Sequence, residues 1–252
     1  MVNKLISIIS CFMISCTVVL SQNVIRVGSG IGTFMMQDLR DFQVSLIPDI
    51  GVKIESLSKF PPWIGYDISF VRYNNSGLGF GITSDYFSTG GTNYYEDYSG
   101  SYKFNLIAQS YNLGMVFSIR NITGSHLKGY FEIQSGMKYS GLSISEKLVI
   151  NNISNPLTSQ SDKLESFSWW IKPVYRVEYK LFDFLSAGAF LGAEINPNSK
   201  LHLKGRPKAN LMNGQGQYVN ISWTGFRFGL FLSFNTSKKI IYPVKEEDIW
   251  SF

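Results

Sequence analysis

The sequence predicts an all-β protein: an eight-stranded antiparallel up-and-down transmembrane β-barrel with long external loops. Three observations carry this. Apolar residues recur with a period of two along most of the chain, the mark of strands with one apolar face. The other face of the same strands holds the charged residues and many glycines. The connections between strands alternate, short then long.

The chain opens on Met1–Ser21, with one charge at Lys4 and an apolar core from Leu5 to Leu20. This reads as a secretory signal peptide cut before Gln22. Two alternatives are an N-terminal anchor and lipidation at Cys16. Ser7, Ser10, Ser15 and Thr17 interrupt the core, and apolar residues follow Cys16 where a polar linker belongs. Both cysteines, Cys11 and Cys16, fall in this leader, so a disulfide-stapled secreted domain and a cysteine metal site are excluded from the mature chain. The formal net charge of +5 falls to +4 without Lys4, too mild to point to nucleic acid. Aromatic residues reach 15%, as a barrel with aromatic girdles requires. No later run is long enough for a transmembrane helix, so a membrane-spanning chain must close as a barrel.

The first strand is Ile25 to Thr33, with Ile25, Val27 and Ile31 against Arg26, Gly28, Gly30 and Gly32. No helix pattern follows where a dinucleotide-binding loop needs one. A long connection to Pro62 holds a short helix near Asp38 to Val44. Trp63 to Tyr73 follows, with Ile64, Tyr66, Ile68 and Phe70 on one face and Asp67 on the other. Asn74-Asn75-Ser76-Gly77 signals a tight turn. The third strand carries Leu78, Phe80, Ile82 and Tyr86 against Thr83 and Asp85, and a tyrosine-rich loop, Ser88 to Gly100, comes next. The fourth strand is clear from Tyr111 to Ile119. Its apolar parity differs between Phe104 and Tyr111, which predicts a bulge near Ala108.

After a short turn at Asn121 to Ser125, Leu127 to Tyr139 alternates with Glu132 and Lys138 on its polar face. A polar loop from about Glu146 to Lys163 leads to Phe167–Lys180, where Lys172, Arg176 and Glu178 share a face and Pro173 predicts a local irregularity. A turn at Phe182-Asp183 precedes the seventh strand, Leu185 to Ile195, with Glu194 on its polar face. A long loop, Asn196 to Gly216, leads to the eighth, Gly225 to Phe234, where Phe226, Phe228, Leu230, Leu232 and Phe234 form one apolar face. At about nine or ten residues this matches one tilted pass across a bilayer.

The apolar face holds no charge within the spans, while the opposite face carries Arg26, Asp67, Asp85, Glu132, Lys138, Lys172, Arg176, Glu178, Glu194 and Arg227. A charge near the midplane on the lipid side costs about 2–4 kcal/mol, so the apolar face belongs outside. The expected interior is a compensated charge network, with sequence neighbours pairing around the wall. A soluble cup with an apolar interior also alternates. Glycines on the polar face and uneven connections weigh against it.

The last strand resembles the closing strand of Gram-negative outer-membrane barrels, whose assembly signal is matched by Arg227, Gly229, Leu232 and Phe234. Together with the leader and segments such as Tyr130–Tyr139 and Leu185–Glu194, the chain is similar to small outer-membrane barrels of the OmpA-like or porin-family type. The resemblance implies a barrel over residues 22–235, a short periplasmic tail at 236–252, and both mature termini in the periplasm of a bacterial outer membrane. It implies as partners the outer-membrane lipid including lipopolysaccharide, the barrel-assembly machinery and an unknown external ligand or protein. It implies no reaction and no cofactor.

Function is therefore sought in the loops and lumen. The first reading is a non-enzymatic envelope-structural or surface binding protein. Its candidate residues are Tyr94, Tyr95 and Tyr98, and a basic stretch of Lys200, His202, Lys204 and Arg206 interleaved with Leu201 and Leu203 as in a projecting hairpin. An aromatic belt and a solvated hairpin are the plainer readings of those groups. A narrow channel is the second reading, opposed by an eight-stranded interior that side chains fill. A lipid- or peptide-modifying enzyme is the third, with His126 and His202 as its only histidines, expected at opposite ends.

Overall fold

The computed structural model describes residues 22–45, 60–98, 100–150 and 158–236, with the backbone alone for 158–160. The expected leader, and the expected tail beyond Thr236, lie outside the described residues. Alternating side chains give strand β1 (Gln22–Gly32), followed by helix α1 (Gln37–Ser45). Then come β2 (Trp63–Tyr73), β3 (Leu78–Asp97), β4 (Gly100–Thr123), β5 (Leu127–Ile150), β6 (Thr158–Lys180) and β7 (Leu185–Glu194). Four short pieces follow: β8 (Ser199–Lys200), β9 (His202–Leu203), β10 (Arg206–Asn210) and β11 (Asn220–Ile221), before β12 (Gly225–Asn235).

Strands β1 to β7 pair antiparallel in sequence order. Strand β12 pairs with β7 on one side and β1 on the other, so a ring of eight closes. Where all eight strands pair, closure leaves no unpaired main-chain edge, the condition for a sheet to cross lipid. No helix among the described residues is long and apolar enough to do so.

The outer face is apolar. Phe80 is 65% exposed, Leu113 65%, Met115 72%, Met137 63% and Leu230 70%, so these large side chains meet lipid and not core. Above them Tyr66, Tyr86, Tyr111, Tyr139 and Phe167 lie in cross-strand register, and neighbouring rings along β3 to β6 stand 4.9 to 6.3 Å apart. This row is an aromatic girdle.

The inner face explains the glycines. Gly114 and Gly136 face each other, and a Cβ on Gly136 would stand 2.1 Å from the Leu113 carbonyl oxygen. The space they leave holds the Trp170 indole, fully buried, which donates to the Met137 carbonyl at 3.1 Å. Gly229 opposes Gly30 beneath the Phe190 ring in the same way.

One end of the ring carries the tight turns and both described termini. At Asn74–Gly77 the Asn74 side chain accepts from the Leu78 amide, and Gly77 takes φ 84°, a left-handed conformation that favours glycine. Gln22 donates to Asn235 at 2.7 Å, so the two chain ends sit together. All long connections lie at the other end.

Three expectations change. There is no register shift near Ala108; β3 and β4 stay in step from Leu78↔Ile119 to Asp97↔Gly100, and the bulge falls at Arg120/Ile122 beside the short turn. The tyrosine-rich loop is strand, for β3 runs to Asp97 and turns back at Gly100. Much of the expected polar loop after Glu146 is strand too, since β5 continues to Ile150 and β6 begins at Thr158. One cause explains all three. Beyond the girdle the wall continues, but its polarity reverses, with Phe104, Leu106 and Ala108 buried inside and, Ile107 apart, polar residues such as Lys103, Asn105 and Gln109 outside. Pro173 has the expected local effect: the ladder to β7 stops at Val174↔Gly192 and resumes as a bridge at Ile171↔Ile195.

Candidate functional site

The chain brings two structures together along the barrel axis: a charged lumen and an apolar cap. All ten predicted inner-face charges are buried, and none exceeds 8% exposure. Arg26 on β1 reaches Glu132 on β5 at 2.7 Å and donates to the Tyr73 hydroxyl at 2.8 Å. Arg176 on β6 holds Glu132 at 3.0 Å through Nε and Asp67 on β2 at 3.3 Å through Nη2. Lys172 pairs with Asp85 on β3 at 2.6 Å. Glu194 on β7 takes both Lys138 and Arg227, the latter at 3.4 Å. Among the described residues the Glu178 carboxylate has no hydrogen-bond partner, and Arg26 Nε stands 3.9 Å from it.

Pairing around the wall between neighbours describes Glu132–Arg176 and Glu194–Arg227. The pairs Arg26–Glu132, Lys172–Asp85 and Arg176–Asp67 instead cross the lumen. In an eight-stranded barrel the bore is narrow enough for long side chains to bridge it. Rings complete the filling: the Arg176 guanidinium lies 4.9 Å from the Phe190 centroid and 5.1 Å from that of Phe231. Arg26 stands 4.7 Å from Tyr130.

Arg227 marks the boundary between lumen and cap. Its guanidinium donates to the carbonyls of Thr33 and Trp223 and stands 4.8 Å from the Phe34 ring and 4.9 Å from Phe87. Above it, Met36 and, from α1, Leu39 and Phe42 pack with Phe60, Phe104, Leu106, Leu142, Leu164, Leu201, Val219, Ile221 and Trp223. This cluster closes the mouth. Polar pins hold it: Gln43 donates to Asn93 at 2.8 Å, Trp223 Nε1 to Ser140 at 3.0 Å, and Asn220 to Asp38 at 2.8 Å. Asn196 donates to Ser168 and the Trp169 carbonyl and accepts from the Trp223 amide. None of these pins was singled out in the sequence, because each joins segments far apart in the chain.

The predicted external residues are placed as follows. Tyr94 and Tyr95 point to opposite faces of the β3–β4 hairpin, so these two do not share one patch. The cause is the strand period of two where a loop was expected. Tyr94 donates to Glu96 and Tyr95 to Asp97, and the hydrogen bond raises each phenol above its ordinary pKa. Strands β9 and β10 form the projecting hairpin, with Gly205 at φ 78° in its turn. Lys204 and Arg206 are exposed on it, His202 stands 3.7 Å from Glu165, and the Lys200 ammonium lies 4.0 Å over the Tyr218 ring. Gly229, Leu232 and Phe234 lie in β12, Leu232 and Phe234 on the lipid face. His126, at the tight-turn end, stacks on Tyr179 at 6.0 Å. It lies at the opposite end from His202.

No family model and no curated protein matches the sequence. Among solved structures, the chain is similar to a major outer membrane protein from Thermus thermophilus, with a TM-score of 0.50 and 12% identity over 85% of this chain and 98% of that one. Ail, the attachment invasion locus protein of Yersinia pestis, gives a TM-score of 0.37 at 11% identity, covering 85% and 99%. Neisserial surface protein A gives 0.40 at 9%, covering 85% and 96%. The Thermus likeness bears on fold alone and agrees with the closed ring of strands. In fold, this chain is an eight-stranded outer-membrane β-barrel.

Proposed function

We propose that the chain is a non-enzymatic integral outer-membrane protein that binds at the cell surface through its external wall, with both mature ends in the periplasm. The observation that carries this is the length of β3 to β6. They run 20 to 24 residues, about twice one tilted pass. A barrel that only anchored would stop at the girdle. Here the wall continues into solvent and is held rigid by the apolar cluster inside it. The short turns and chain ends, opposite that wall, occupy the periplasmic side. The assembly machinery reads β12.

Lysines stand on the outer surface of the wall. Lys103 and Lys147 oppose each other directly on β4 and β5, and the Lys204 amide donates to the Lys163 carbonyl where the β9–β10 hairpin joins β6. Like charges so opposed repel unless an anion lies between them. Lys163 lies four positions outward from the girdle residue Phe167, near the depth of lipid headgroups, so lipopolysaccharide phosphates are the contact proposed. The test is binding of purified lipopolysaccharide to the refolded barrel in phosphatidylcholine nanodiscs. Lys163→Gln with Lys204→Gln is expected to weaken it about tenfold, the equivalent of two exposed ion pairs. Heat-modifiable gel mobility should persist. Unchanged affinity would overturn the lipopolysaccharide contact, and lost heat-modifiability would show the wall serving barrel assembly instead.

A further inference from the structure

Where the β9–β10 hairpin joins the wall, a histidine and a glutamate share the face that carries Lys163 and Lys204. Strands β6 and β9 pair at Leu164↔Leu203 and Glu165↔His202. Leu164 packs in the inner apolar cluster and Leu203 lies beside it on the inside. Alternation therefore turns Glu165 and His202 outward together. The Lys204 amide donates to the Lys163 carbonyl one step further out, so both lysines adjoin the pair.

Glu165 is fixed in place. Its Oε2 accepts from the Tyr139 hydroxyl at 3.2 Å, and its Oε1 accepts from the Gly205 amide of the hairpin turn at 3.3 Å. His202 Nε2 stands 3.7 Å from the same Oε1. That separation is too long for a hydrogen bond but within the range of an ion pair once the ring is charged. Each side chain of the pair is 18% exposed, so solvent reaches both. The titratable groups around His202 are Glu165 and Lys163 on β6, Tyr139 on β5 and Lys204 on β9 itself. Strand β10 adds Arg206 and Lys208, with the uncharged Asn210 in register with His202.

Imidazole is the side chain that ordinarily gains its charge between pH 8 and pH 5. With a neutral ring, Glu165 is an anion set beside two lysines that face phosphate, and it opposes the contact. With a charged ring, the pair as a whole is neutral and the opposition is gone.

We propose that proton uptake by His202 strengthens the phosphate contact of the outer wall, the imidazolium cancelling the charge of Glu165 beside Lys163 and Lys204. Glu165 is a positioning residue that holds the pair at the seam. The inference rests on the lipopolysaccharide reading and gives that contact its pH dependence.

The test titrates purified lipopolysaccharide against the full mature chain refolded in phosphatidylcholine nanodiscs, at about pH 7.5 and about pH 5.5, on either side of the imidazole range. Phosphates take up protons over the same interval in every variant alike, so variants are compared with the wild type at each pH. At the lower pH the wild type should bind about threefold to fivefold more tightly than His202→Gln, the worth of one exposed ion pair. At the higher pH that gap should close to less than about twofold. Glu165→Gln, which removes the acid outright, should bind about threefold more tightly than the wild type at the higher pH. Heat-modifiable mobility should persist in both variants. A His202→Gln isotherm matching the wild type at the lower pH, or a Glu165→Gln affinity unchanged at the higher pH, would overturn the proposal. Lys163→Gln with Lys204→Gln separates it from the reading on which it rests. Unchanged affinity in that variant, with the His202-dependent gap intact, would overturn the lysine contact and support the proton-linked one. Absence of lipopolysaccharide binding at both pH values would overturn both.

Discussion

Arg176 shows what one residue does in this barrel. It is 1% exposed, joins Glu132 to Asp67, and lies against two phenyl rings. Replacing it with alanine strands Asp67, whose ion pair in the network is with Arg176, and leaves Glu132 one ion-pair partner, Arg26, beside the hydrogen bonds from Gln134 and Ser118. Breaking a buried ion pair on one side typically costs about 3–5 kcal/mol. Arg176→Ala should lose that much in urea unfolding from lipid vesicles. Lys200→Ala should lose about 1 kcal/mol or less, because Lys200 is exposed and lies only over the Tyr218 ring. Equal losses would show Arg176 to be solvated. The ten inner charges were legible one by one in the sequence, since alternation assigns each to a face. Their partners were not, because a pair such as Lys172–Asp85 joins residues 87 apart and depends on the diameter of the bore.

At the scale of elements, the reversal of polarity along β4 matters most. Tyr111, Leu113 and Met115 face lipid, yet Phe104, Leu106 and Ala108 on the same strand face inward. Sequence patterning registers that reversal as a slip of one residue and so predicts a bulge or a loop. The strand is continuous; what changes is its surroundings, from lipid outside to water outside. The cap follows from this, since an apolar inner wall must be covered. Trp223 is its centre, fully buried and bonded to Ser140. Trp223→Ala should cost about 3–5 kcal/mol locally. We expect amide exchange in residues 196–224 to quicken while β1, β2 and β12 keep their protection. Loss of protection throughout the ring would make the cap part of the barrel's single cooperative unit.

At the scale of the molecule, a closed sheet with an apolar exterior and a filled bore specifies both placement and permeability. Leu232 and Phe234 lie on the lipid face of the strand that closes the ring against β1. Leu232→Asp should impair folding into vesicles, since a carboxylate on the lipid face opposes insertion, by less than the roughly 2–4 kcal/mol of a lysine or arginine at the midplane. Efficient folding of that variant would place Leu232 away from lipid. Because ion pairs bridge the lumen and an apolar cluster covers its mouth, planar bilayers holding the wild-type protein should show no large, stable current steps. Such steps would favour a channel.

The sequence by itself determined the strand class, the number of strands, which face meets lipid and which end carries the tight turns, because a period of two and the cost of a charge in lipid act locally. Only the tertiary structure decided how far the walls extend, which charges meet across the bore, and that α1 and residues 196–224 close the mouth. Those features depend on which distant segments share the inside of one ring, and beyond the girdle, where water replaces lipid, the same alternation carries the opposite meaning.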